Sequence, residues 1–318
     1  MRNRNTDPLF ALRLFPFRIP NSELPQMPLQ DAFPEITKRR EPLAPHTHLR
    51  IGGPAECLVQ PRTTDELKAV LRYCKTKAIP LRMLGGGFNL LVNDDPIPGV
   101  VMRLTGPEFS SIETQGKTIR AAGGAQLFDL IAHSVRAGLG GLETLVGIRG
   151  TVGGSVRCNV GDRSGEIGAC VRRVAVLHDD ASELVRTRDE LTFGVHSSDL
   201  DEPVILWVEF ELLPEKPQAL LKRMRRAWII RKAAEPLSFQ AGVRLFRDPA
   251  GLNAASLIER AGLAKFRVGS AEVSDRNGNY AIAHPGTTAK DVLKLIDHVR
   301  AKVKDSTGVI LERELNVW

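Results

Sequence analysis

The chain has 318 residues, 42% hydrophobic and 25% charged, with a formal net charge of +7. This is the composition of a globular chain of two domains or one large one, and it excludes a low-complexity polymer. With no apolar run of the roughly 18 residues that span a bilayer, no metal-ligand spacing among Cys57, Cys74, Cys158 and Cys170 and no nucleic-acid motif, the expectation is a cytoplasmic protein without metal, membrane or nucleic-acid partner.

Residues 1–45 are punctuated by eight prolines and show no helical or strand period. They read as a poorly ordered extension. From His46 the pattern tightens: Ile51–Val59 gives a turn and a strand, and Thr63 caps a helix with Leu67, Val70 and Leu71 on one face. Ile79–Val92 is an apolar strand, three glycines and a second apolar segment. A short strand at 100–102, a hairpin over 112–122 and a helix over 126–137 follow, the helix stopping at Gly138. The stretch Gly138–Gly161 is too rich in glycine to predict a helix. Strands are expected over 171–178, 183–187 and 204–213, then a linker at Pro214–Pro217 and a basic helix over 218–234. Beyond it come a strand and turn within 236–249, a helix over 254–262, and strands over 268–274 and 279–283. A strongly periodic helix over 287–303 and a last strand over 309–315 complete the chain. Short strands with few helices, in no regular βαβ series, make this an α+β chain. The expected division is an extension 1–45, a first domain 46–214 and a second domain 215–318.

Two glycine runs carry the chemical signal. Glycine admits positive φ and lets another group approach the amides, because no Cβ stands in the way. The runs around Gly85-Gly86-Gly87 and Gly147-Ile148-Arg149-Gly150-Thr151-Val152-Gly153-Gly154 can each aim N–H groups at phosphate oxygens. The first lacks the spacing of a dinucleotide fingerprint, so an ordinary Rossmann site is not expected. Two separate loops suit a long diphosphate ligand held from two sides. The competing structural reading is a pair of bulged, tightly packed strand junctions.

Four segments in order resemble the UDP-N-acetylenolpyruvoylglucosamine reductase (MurB) family: Leu84–Val92, Gly141–Gly154, Ala255–Leu263 and Leu311–Leu315. The resemblance covers roughly 46–318. It implies an FAD-binding domain of the vanillyl-alcohol-oxidase-like (PCMH) type followed by a substrate-binding domain, in a monomeric cytoplasmic flavoenzyme. It implies non-covalent FAD, NADPH as hydride donor and a UDP-sugar substrate, in a step of peptidoglycan precursor synthesis that serves cell-wall biogenesis, cell shape and division. Cofactor contacts implied are Gly85, Gly86, Gly87, Asn89 and Leu90 in the first loop, with Gly147, Ile148, Gly150, Thr151, Gly153, Gly154 and Asn159 in the second.

Hydride addition to one carbon of an enolpyruvyl group leaves an enolate at the other, so the site needs a cation and a proton donor. In the family these fall to an arginine after a tyrosine, a C-terminal glutamate, and a serine or cysteine. Glu314 matches the glutamate. His196 stands where the arginine belongs, after Val195 in place of the tyrosine. Where the serine or cysteine belongs, one alignment places Arg244 and another Val243. Arginine cannot give up a proton at neutral pH, but it can hold a carboxylate or a phosphate. The candidate catalytic set is therefore Glu314, His196 and Arg244. Three readings stay open: the reductase itself, a flavoenzyme of the same fold with another substrate, or a flavin- or UDP-sugar-binding paralogue without turnover.

Overall fold

The computed structural model describes residues 29–162, 164–237 and 240–318. The first layer is a four-stranded sheet in the order Thr37–Pro42, Pro54–Val59, Ile97–Met102, Leu81–Met83. Its inner pairs are parallel, and the Thr64–Thr76 helix crosses between two of the strands. That helix starts where Thr63 accepts a hydrogen bond from the Glu66 amide, and it buries Leu67, Val70, Leu71 and Cys74. The same apolar cluster takes in Ala175, Leu177, Val204 and Leu206 from the second layer, which locks the two sheets together.

The second layer is a five-stranded antiparallel sheet in the order Glu183–Thr187, Val171–Leu177, Val204–Glu211, Thr118–Ala122, Ile112–Gln115. Leu127, Leu130 and Ile131 of the Leu127–Arg136 helix pack on it, beside Val152 and Val156. A separate core belongs to the C-terminal unit. There the antiparallel strands Ala241–Arg244, Tyr280–Ala283, Ala271–Val273 and Arg267–Val268 are covered by the helices Ala254–Arg260 and Ala289–Thr307. Thr288 and Asp291 form a capping box at the start of the latter helix, and Gly308 ends it at φ +73°. The chain then returns to the first unit, where Asn316–Val317 pairs in parallel with Leu90–Leu91.

Several expectations are corrected by packing. Within the expected extension, residues 1–28 lie outside the described residues, but Leu29–Ala32 is a helical turn and Thr37–Pro42 an edge strand on the first sheet. Leu29 is fully buried, so the run of prolines did not prevent docking. The expected linker is a short strand, Leu213–Pro214, paired with Leu139–Gly140. The Pro217–Ala234 helix after it packs on the first unit, with Leu220 against Gly140 and Arg223 on Glu143, so it does not belong with the C-terminal core. The strand expected over 309–315 does not form: those residues make only an isolated bridge from Arg313 to Phe246, and the last strand is Asn316–Val317.

The glycine-dense stretch holds a helix after all, Val152–Arg157, capped by the Thr151 hydroxyl accepting from the Gly154 amide. Its glycines serve close packing. A Cβ on Gly153 would sit 3.0 Å from the Gly123 carbonyl oxygen and 3.5 Å from the Ile205 Cβ. Gly153→Val should therefore lower the stability of the flavin-free protein by about 1–3 kcal/mol through overpacking. An unchanged melting temperature for that apoprotein, with FAD binding lost, would place the side chain against cofactor instead.

Candidate active site

The two glycine loops meet. A Cβ on Gly86 would fall 3.0 Å from the Gly150 Cα, and one on Gly85 would fall 2.9 Å from the Thr151 hydroxyl oxygen. Gly87 has φ +66°, and a Cβ there would meet the His46 carbonyl, so neither conformation nor space admits another residue. Among the described residues, the amides of Gly85, Gly86, Gly87 and Phe88 donate no hydrogen bond, and neither do those of Arg149 and Gly150. Unspent amides on two facing, Cβ-free loops are what an extended diphosphate requires. A cavity opens beside them, lined by Phe88, Gly147, Ile148, Gly150, Trp228 and Lys232. The residues present fit FAD.

Several of the expected contact residues already make hydrogen bonds within the protein. Gly153 already donates its N–H to the Gly123 carbonyl at 2.8 Å. Gly154 donates to Thr151. Asn159, fully buried, donates to Glu166 Oε2 and the Gly194 carbonyl and accepts from the Gly168 amide. Its side chain brackets three segments and has nothing left for a cofactor. Asn89 donates through Nδ2 to the Glu314 carbonyl at 3.4 Å, and its own carbonyl accepts from the Asn316 amide. Together with buried Leu90, whose strand partner is Asn316, it ties the first loop to the end of the chain.

Glu314 and Arg244 come together. Arg244 Nε lies 3.1 Å from Glu314 Oε2, and Nη2 donates to Asp248 Oδ2 at 2.9 Å. Of the two aligned positions, Val243 points into the C-terminal core, 3% exposed, and Arg244 lies on the opposite face beside Glu314. The ion pair is not in line for a hydrogen bond, so Glu314 Oε2 is a buried acceptor without a donor, as Arg247 Nε is a buried donor without an acceptor. Buried orphans of this kind are uncommon in folded proteins, and both of these can accept or donate a further hydrogen bond. His196 sits apart, at φ +51° in the turn between Phe193–Gly194 and Ser197–Ser198. Among the described residues it shares no hydrogen bond or ion pair with Arg244 or Glu314. Its hairpin is anchored to the end of the Val152–Arg157 helix, where Ser198 Oγ donates to the Arg157 carbonyl.

Four further residues, not singled out by motif, enter the site. Arg231 runs under Gly147, its Nε donating to the Val146 carbonyl and its Nη2 to Asp162. Burial pushes the Glu235 carboxyl up, against the pull of Arg231, Lys232 and Arg149. Burial, then the charge of Glu235, pushes the Tyr280 phenol up to about 12. Burial also raises the Cys158 thiol, which lies near Asn89 and Glu314. The only signal for any of them in the sequence was the basic run containing Arg231.

A family model described as "FAD binding domain" matches residues 55–188, and one described as "UDP-N-acetylenolpyruvoylglucosamine reductase, C-terminal domain" matches residues 235–318. With the facing glycine loops, these define an FAD-dependent oxidoreductase. The chain is 38% identical over 287 residues to UDP-N-acetylenolpyruvoylglucosamine reductase 2 of Symbiobacterium thermophilum, covering 90% of this chain and 93% of that one. It is 35% identical to the reductase of Rhodopirellula baltica, over 93% of this chain and 99% of its relative. The crystal structure of the Thermus caldophilus reductase (MurB) superposes with a TM-score of 0.76 at 36% identity, covering 89% of this chain and 98% of that one. The chain belongs to the UDP-N-acetylenolpyruvoylglucosamine reductase family.

The Glu235 environment gives a test by pH. A carboxyl whose folded pKa is raised binds its proton more tightly folded than unfolded, so the folded state gains stability as pH falls through the folded pKa. Above that pH its ionisation costs stability. Glu235→Gln should accordingly raise the melting temperature at neutral pH, and the gain should shrink as pH drops into the ordinary carboxylate range. A gain that is constant with pH would show that the charge is not the cause.

Proposed function

We propose that this chain uses NADPH to reduce the enolpyruvyl group of UDP-N-acetylenolpyruvoylglucosamine, giving UDP-N-acetylmuramate for peptidoglycan precursors. We read it as a cytoplasmic monomer whose product supports wall growth, and through it cell shape and division. The observation that carries the reading is the Arg244–Glu314 pair, held at 3.1 Å beside the glycine loops by the returning end of the chain. FAD, when bound between the loops, supplies the hydride relay between NADPH and the substrate.

The protein's own residues do the rest. Arg244 supplies a permanent cation in the cleft, and His196 does not need to take the place of the family's arginine. Two carboxylates, Asp248 and Glu314, fix the guanidinium from two sides, while its Nη1 donates no hydrogen bond among the described residues. That donor can meet the substrate carboxylate and the charge that develops beside it. Such a preorganised cation is worth several kcal/mol in the transition state, because nothing reorganises as charge forms. Glu314 orients Arg244, and it offers Oε2 as an acceptor that burial keeps away from bulk water.

The purified protein should be yellow with FAD that acid or denaturant releases. Under anaerobic stopped flow, NADPH should bleach the flavin and the enolpyruvyl UDP-sugar should restore its colour. Arg244→Ser should slow only the second half-reaction, by about 10²–10⁴-fold. Reduced wild-type flavin that this sugar does not reoxidise would rule out the assigned substrate.

A further inference from the structure

We propose that Tyr280 is the acid that delivers the proton to the substrate carbon in this protein. The proposal rests on the reductase reading, and it answers the need left where Arg244 stands in place of a serine or cysteine. Tyr280 lies directly opposite Arg244 on neighbouring antiparallel strands. Directly opposed residues send their side chains out of the same face of a sheet. The alternate pair, Val243 and Ala281, is buried in the C-terminal core, so Arg244 and Tyr280 share the cleft face. Arg244 reaches Glu314 on that face.

Gly242 also belongs to that face, by alternation along its strand. Having no side chain, it lets Pro236 come close: a Cβ on Gly242 would be 3.1 Å from the Pro236 Cγ. That approach carries Glu235, next in the chain, toward the phenol, and Arg231 completes the charged surround. Among the described residues the phenol donates no hydrogen bond. Burial holds it protonated at neutral pH, so a proton is in place there. Transfer is downhill even from a phenol, since an enolate beside a carboxylate is a far stronger base than phenolate.

The step balances as follows. A hydride adds with its electron pair to the methylene carbon, and the π pair of the double bond moves to the carbon bearing the ether oxygen and the carboxylate. The Tyr280 O–H bond breaks as the new C–H bond forms at that carbon. The phenolate, opposite the Arg244 guanidinium, recovers a proton from water. Hydride and proton have then added across the double bond, with the hydride drawn from NADPH.

Tyr280→Phe holoenzyme should keep its FAD and its rate of reduction by NADPH. Reoxidation by the enolpyruvyl UDP-sugar should fall about 10²–10⁴-fold, the usual cost of losing one positioned acid. A second readout is the pH profile of reoxidation. In wild type the rate should fall at high pH as the phenol ionises, and in Tyr280→Phe that limb should vanish. The chain has only two tyrosines, and the other, Tyr73, packs on Phe33 in the first unit. Global incorporation of fluorotyrosine into Tyr73→Phe protein therefore labels position 280 alone, without removing the ring. It should move the high-pH limb to lower pH, whether or not Tyr280→Phe folds well. An unshifted limb in the fluorotyrosine protein, or wild-type reoxidation by Tyr280→Phe, would overturn the assignment. So would transfer of the defect to Cys158→Ala, since the thiol is another neutral acid, close to Glu314. Failure of wild type itself to be reoxidised would defeat the substrate reading and this one together, whereas those outcomes defeat this one alone.

Discussion

The active cleft depends on one short pairing, the parallel contact of Asn316–Val317 with Leu90–Leu91. The C-terminal unit has its own, nearly self-contained apolar cluster, and this pairing references its end to the glycine loops, alongside contacts such as the Ala289 amide donating to Asp94. The pairing is only two residues long, and Asn89 extends it by donating to the Glu314 carbonyl. Glu314 is thus held by backbone on both sides: its amide donates to the Leu245 carbonyl, and its carbonyl accepts from Asn89. A carboxylate so fixed can hold Arg244 in turn, with little side-chain entropy left to lose at the transition state.

The electrostatics of the cleft follow from the same geometry. Arg244, Arg231 and Arg247 gather around Glu314, Glu235 and Tyr280, within a region that is largely shielded from water. Such a mixture is costly when incompletely paired, and here it is incompletely paired, at Glu314 Oε2 and Arg247 Nε. Some buried charges elsewhere are well enclosed, although Arg103 Nε and Glu202 Oε2 are also left without a hydrogen bond. Glu209 is surrounded by Arg120, Arg172 and Arg173, and Arg157 is closed off by the carbonyls of Leu200 and Glu202. In the cleft, Glu314 Oε2 and Arg247 Nε leave a charged ligand room to complete the network.

Much of the fold was legible locally. The helices at 64–76, 254–260 and 289–307 carry side-chain caps, and these and the helix at 127–136 carry apolar faces, so short-range pattern was enough to place them. The glycine loops announce themselves because only glycine tolerates those torsions and approaches. What local pattern could not reveal was the use of each glycine. Gly86 and Gly150 face each other across a cradle, whereas Gly153, five residues from where the cradle begins at Gly147–Ile148, is a packing residue. The two uses demand the same residue for different neighbours, and neighbours are not written in the local sequence.

The sequence by itself therefore determined most of the order of elements, the two glycine loops and the family, all of which rest on residue types at short spacing. Tertiary structure alone decided which groups meet. The choice between Val243 and Arg244 was a question of strand parity, and a slip of one residue sends every side chain to the opposite face. Tyr280 joined the site through its register with Arg244, and Glu314 through a pairing that spans more than two hundred residues of chain. His196, promising by position in the motif, is carried on a hairpin anchored to a different helix end. These are outcomes of long-range closure, in which a few backbone hydrogen bonds set the distances between side chains far apart in sequence.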